Sequence, residues 1–101
     1  MPITVRDPLG HEIYLTDERW DHICEEHPEM QGYRSHVLET VSRGQRFQDS
    51  IRPEVYLYYQ DYRALPRDNT TIVVVVRFGF HPGGTENNFI LTAYQIRRRR
   101  G

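Results

Sequence analysis

The sequence predicts an α+β domain: two N-terminal helices packed on a four-stranded antiparallel sheet, preceded by a β-hairpin. Three observations predict it. Apolar residues recur at helical spacing between Trp20 and Val41. Alternating or continuous apolar runs dominate from Val55 to Ile96. Within them, Ile72-Val73-Val74-Val75-Val76 is apolar on both faces, as a central strand must be. The 101 residues fit one domain, drawn as 1–96 with a basic tail over 97–101.

The elements follow in order. Ile3-Thr4-Val5 and Glu12-Ile13-Tyr14-Leu15 alternate around Asp7-Pro8-Leu9-Gly10, a hairpin with a Pro/Gly turn. Thr16 reads as an N-cap, with Asp17 and Glu18 in the first turn, where the helix dipole favours acids. Trp20, Ile23 and Cys24 give this helix one apolar face, and Pro28 ends it near His27. Met30, Tyr33, Val37, Leu38 and Val41 mark a second helix, with Gly44 as its C-cap. Each helix has a single apolar stripe, so both should cover the same sheet face. Arg46 to Ser50 reads as a short strand, and Val55 to Tyr59 as a firm one. Leu65 to Asn69 is a turn, and Thr70 to Phe80 holds the central strand. His81-Pro82-Gly83-Gly84 is a loop, and Phe89 to Ile96 is the last strand. Residues 97–101 form the tail, expected to fray.

Composition narrows the function classes. The hydrophobic fraction is 38% and the charged fraction 27%, with seven Tyr among 12% aromatics, so the body of the chain folds. Net charge is −1, which counts against a nucleic-acid binder. Yet all 13 basic residues are Arg, whose fork suits phosphate and carboxylate. Acids cluster early, at Asp17, Glu18, Asp21, Glu25, Glu26 and Glu29. Cys24 is alone, so no internal disulfide forms, which fits a cytoplasmic location. The start lacks the pattern of a signal peptide, and the longest apolar run is too short to span a membrane.

Several residues suggest chemistry. His22 and His27 lie five apart, about 140° around a regular helix of 3.6 residues per turn. They do not form an i, i+4 metal pair. If the helix stops at His27, that ring can swing onto the sheet edge. Two imidazoles are what acid–base cleavage of RNA requires: one accepts the 2′-hydroxyl proton and the other protonates the departing 5′-oxygen. The plainer alternative is that His27 caps the helix and His22 is solvated. His22, Glu26 and His27 lack the H-E-x-x-H spacing, so neither metal nor cofactor is expected. Arg77 follows the valine run, where a guanidinium can hold a phosphate or merely end a strand in solvent. On the last strand, alternation places Ile90, Thr92, Tyr94 and Ile96 on one face, with Thr92 and Tyr94 positioned to bind a phosphate oxygen and stack a base. Ordinary β-propensity explains the same two residues. Tyr56 and Tyr58 share a face, where they can stack on RNA or pack in the core.

As a set, these segments resemble the phage and bacterial members of the Barnase–EndoU–Colicin–RelE superfamily of small nuclease domains. The resemblance rests on Leu15-Thr16-Asp17-Glu18-Arg19-Trp20-Asp21-His22-Ile23, His27-Pro28-Glu29, Tyr58-Tyr59, Val73-Val74-Val75-Val76-Arg77 and Leu91-Thr92-Ala93-Tyr94. It spans about Val5 to Ile96. It implies metal-free RNA cleavage through a 2′,3′-cyclic phosphate by a toxin or phage-derived effector. EndoU-like members use two histidines, a cation and a Thr-x-Tyr pair. By position these are His22 and His27, Arg77, and Thr92 with Tyr94. The cation in that branch is usually Lys, and its histidines lie farther apart. RelE-like branches rely on Arg, Lys and Tyr, which would shift substrate binding to Tyr59, Arg63 and Arg67. The expected partners are RNA and an antitoxin or immunity protein. Two competing readings use the same fold: a non-catalytic binding module, and an immunity or antitoxin protein whose acidic helix around Glu25, Glu26 and Glu29 mimics phosphates.

Overall fold

Strands Ile3–Arg6 (β1) and Glu12–Leu15 (β2) form the expected hairpin, here in a computed structural model that describes residues 2–98. Its turn needs Gly10, whose φ of +88° suits a residue without Cβ. Asp7 does more than turn the chain. Its Oδ1 accepts the backbone N–H groups of Leu9 and His11 at 3.0 and 2.9 Å, and its side chain is buried.

Helix α1 covers Asp17–Glu26 and has the predicted cap, with Thr16 Oγ1 accepting the Arg19 N–H at 3.0 Å. It stops at His27, and Pro28–Met30 makes a single 3₁₀ turn. Helix α2 covers Arg34–Arg43, later than the Met30 start that the apolar spacing suggests. Gly32, at φ +86°, breaks the chain between them, so Met30 and Tyr33 reach the core from outside the helix. Gly44 does end α2, but for want of space: a Cβ there would sit 2.4 Å from the Thr40 carbonyl oxygen and 2.7 Å from that of Tyr59.

The sheet corrects the expected four antiparallel strands. Gln45–Gln48 (β3), Val55–Asp61 (β4), Thr71–Arg77 (β5) and Asn88–Ile96 (β6) join the hairpin in one six-stranded mixed sheet, ordered β1-β2-β6-β5-β4-β3. The hairpin therefore does not precede the sheet. It is the sheet's edge, attached by one parallel pairing, Ile13 with Asn88 and Tyr14 with Phe89. The helices are inserted between β2 and β3 rather than placed N-terminal to the sheet. So short a parallel ladder is strengthened by Asn88, whose Nδ2 donates to the Glu12 carbonyl at 3.0 Å.

Both helices lie on one face, as their single apolar stripes require. Ile23, Val37 and Val41 pack with Ile72, Val74, Val76, Ile90 and Ala93 in one buried cluster. A bulge in β6 resets its alternation. Val75 pairs with Thr92 and Val76 with Ile90, leaving Leu91 as the extra residue. Ile90 thus shares the helix face with Ala93 and Gln95, and not, as strict alternation suggests, the face of Thr92 and Tyr94. No helix of the described residues is long and apolar enough to cross a membrane.

Candidate functional site

The face turned away from the helices is built in cross-strand rows. One row runs Tyr94–Val73–Tyr59 and the next runs Thr92–Val75–Leu57. Period-two geometry points all six side chains to this side. Phe47 pairs with Leu57, and its ring meets the Tyr59 edge at 5.5 Å between centroids. The Tyr94 hydroxyl is pushed above its ordinary value, chiefly by burial and secondarily by nearby Tyr59. Thr92 Oγ1 is buried and has no hydrogen-bond partner among the described residues. A polar atom left in that state costs roughly 1–3 kcal/mol, so it needs an explanation.

His27 reaches this face as the sequence suggests. β2 pairs with β6 only at Asn88 and Phe89, so the rest of that β6 edge is free for α1 and the turn after it. Gln95 Nε2 donates to the Glu29 carbonyl at 3.0 Å, pinning the turn to the strand. With α1 ended at His27, the imidazole lies 5.7 Å from the Tyr94 ring between centroids. Its Nδ1 stands 3.8 Å from a Glu29 carboxylate oxygen. At that distance the two groups are neighbours without a hydrogen bond.

The remaining residues separate. His22 is exposed on α1. Arg77 shares the open face, but it pairs with Phe89 and sits four residues along β5 from the Tyr94 row, about 13 Å at 3.3 Å per residue. The nearer guanidinium is Arg98, 5.5 Å from the Tyr59 ring centroid and bonded to Asp61 at 2.9 Å. Arg98 also donates its backbone N–H to Thr70 Oγ1 at 2.8 Å, so the expected fraying does not begin here. Arg99, Arg100 and Gly101 lie outside the described residues. Arg63 and Arg67 are exposed on the loop between β4 and β5, at the sheet end nearest Tyr59 and Tyr94. That loop holds Ala64, Arg67 and Asp68 at φ of 61°, 58° and 58°, in the left-handed region. Tyr56 and Tyr58 do share a face, but it is the helix face, and Tyr58 is wholly buried in the core.

A second polar group escaped the sequence reading. Tyr58 Oη donates to Asp7 Oδ2 at 2.6 Å, and Arg46 Nε donates to Tyr58 Oη at 3.2 Å. Arg46 stands 3.7 Å from Asp7, making a largely buried ion pair. Burial, then the hydrogen bond to Asp7, push the Tyr58 hydroxyl far above its ordinary value. An Asp before Pro-Leu-Gly reads as a turn residue, so no local signal marks Asp7 as a core partner. No three metal-ligating side chains cluster among the described residues. No family model, curated protein or solved structure matches the chain.

Proposed function

We propose that the chain is a small metal-independent endoribonuclease, cleaving RNA by 2′-hydroxyl transphosphorylation on the open sheet face. The observation that carries this reading is the meeting of His27 with Tyr94, beside Thr92, on the face that the helices leave free. The resemblance of the sequence to the Barnase–EndoU–Colicin–RelE superfamily supports the same reading. His27, with Glu29 nearby, takes the 2′-hydroxyl proton as that oxygen attacks phosphorus. The bond to the 5′-oxygen breaks, and this oxygen collects a proton from an acid. Tyr94 carries its proton at neutral pH, as any tyrosine does, and is the donor nearest His27. His22 holds that role only if α1 shifts or RNA binds across it. Once RNA parts the side chains around it, the buried Thr92 hydroxyl, unpartnered among the described residues, donates to a non-bridging phosphate oxygen, and Arg98, Arg63, Arg67 and, farther along, Arg77 attract the backbone. Tyr59 offers a stacking ring.

The test is cleavage of labelled RNA in EDTA, with DNA of the same sequence left intact and 2′,3′-cyclic phosphate ends on the products. His27→Ala should lower the rate about 10²–10⁴-fold, the usual contribution of a positioned acid–base group, while thermal unfolding stays unchanged. Wild-type protein that leaves RNA whole in EDTA would sink the enzyme and favour a non-catalytic module. In that event, co-purification with a basic nuclease would point to an immunity or antitoxin role for the exposed acids of α1.

A further inference from the structure

On the opposite side of the sheet, at the end left uncovered by the helices, lies a cleft of about 250 Å³. Its walls are Tyr56, Phe78 and Phe80, and its polar groups are His11, Arg46, Glu86 and Asn88. From this geometry we infer a binding site for one neutral planar heterocycle of the nucleobase class.

Three features select that ligand. The first is size and surface. Two edge-to-face contacts, Tyr56–Phe78 and His11–Phe78, each at 5.1 Å, build an aromatic floor, while the Phe80 ring is 72% exposed at the rim. A volume below the usual 300–1,000 Å³ of small-molecule pockets suits a single ring system. An exposed ring at the rim of a cleft offers a face on which a planar ligand can stack.

The second is preorganisation. The Arg46 guanidinium carbon stands 3.6 Å from the Tyr56 ring centroid and 5.0 Å from that of Phe78. Its Nε is committed to Tyr58 and its charge to Asp7, so the group cannot swing. Its two terminal amino groups have no partner among the described residues and remain as fixed donors. Glu86 belongs to a tight hairpin closed by a Phe80–Glu86 bridge and by the His81 N–H on the Thr85 carbonyl at 2.8 Å. Its carboxylate lies 3.2 Å from His11 Nδ1. Donors and an acceptor are therefore held in place before any ligand arrives.

The third is charge. Arg46 is neutralised by buried Asp7, and Glu86 at least cancels His11. The cleft has no net positive charge, whether or not His11 is protonated, so a free phosphate or carboxylate gains little there. A base edge carrying both acceptors and N–H donors matches the pair of guanidinium and carboxylate, which is how Arg and Glu read bases elsewhere.

The test uses the intact protein and NMR titration with the four ribonucleosides, a 2′-deoxy tetranucleotide and inorganic phosphate. At least one nucleoside, or the tetranucleotide, should shift the His11 and Phe78 resonances at millimolar concentration or below, and phosphate should not compete. Binding of nucleosides alone identifies a free ligand; binding of the tetranucleotide alone identifies a base carried on a strand. Phe80→Ala, at an exposed position, should weaken binding about five- to hundredfold, as loss of one stacking ring does. Glu86→Gln and Arg46→Lys should weaken it as well. The site is independent of the proposed cleavage, so His27→Ala should bind nucleosides like wild type, and failure of one reading leaves the other standing. Three results would overturn the inference: no shift with any of the bases, equal binding by phosphate alone, or binding that Phe80→Ala and Glu86→Gln leave unaltered.

Discussion

The two faces of β5 reach nearly the same burial by different means. Ile72, Val74 and Val76 are fully buried beneath both helices, in a core drawn from most elements of the chain. Val73 and Val75, at 1% and 8% exposure, point to the side where no helix packs. The side chains of their own rows, Tyr59, Tyr94, Leu57 and Thr92, cover them. One face is closed by secondary structure and the other by rings and a hydroxyl that can be displaced. Stability belongs mainly to the first; the second presents aromatic rings and a hydroxyl with no helix over them.

This contrast can be broken by experiment. Ile72→Ala opens a cavity that helices and strands on every side cannot collapse into, and should cost about 2–5 kcal/mol in urea unfolding. Val75→Ala should cost less, about 1–2 kcal/mol, because flanking side chains can close over the gap. Equal losses would mean that the open face is as rigid as the other.

Next in size is Tyr58→Phe, which leaves buried Asp7 without its hydroxyl donor and should cost about 1–3 kcal/mol by the same measurement. The helix face should also show itself in alkali. Burial, opposed in part by the hydrogen bond with Thr40, leaves the Tyr62 hydroxyl pushed up to about 12. Tyr58 shifts in the same direction. The unfolded chain releases these protons first, near the ordinary tyrosine value of about 10, so the native state binds more protons above that pH. Stability from this source is complete below pH 10 and falls as pH rises from 10 towards 12. Tyr62→Phe should flatten part of the slope in unfolding measurements across that range.

The smallest effect is the sharpest on the open face. Thr92→Val removes the buried, unpartnered oxygen while keeping the shape, and should leave stability unchanged or raise it by up to about 1 kcal/mol. Cleavage of RNA should fall at the same time. A variant that loses stability would show that the hydroxyl has a structural partner instead of a ligand.

What could be read in advance was local. The Thr16 cap with Asp17, Glu18 and Pro28 brackets α1 within a dozen residues, and the run from Ile72 to Val76 announces a strand buried on both sides. The parallel pairing of β2 with β6 could not be read, because only two residue pairs, each spanning most of the chain, make it. No glycine marks the bulge at Leu91, so strict alternation misplaced Ile90. Of the proposed site, the meeting of His27 with Tyr94 depends on a helix end and a strand parity that the sequence carries. Arg77 was picked for its place after the valine run; the structure puts it on the open face about 13 Å along β5 from the Tyr94 row, and distance along a strand is not a property of residue type. Arg98 was hidden in a run of arginines that reads as a tail.

The single extra residue in β6 works as a phase shifter. Upstream of Leu91 the strand keeps one polarity, and downstream it keeps the opposite one, so the side chains of Thr92 and Tyr94 lie on the face away from the helices only because the count is odd by one. Losing any one residue there would turn Ala93 and Gln95 to solvent and drive two polar groups into the aliphatic interior. This stretch should therefore tolerate exchanges of side chain far better than any change in its length.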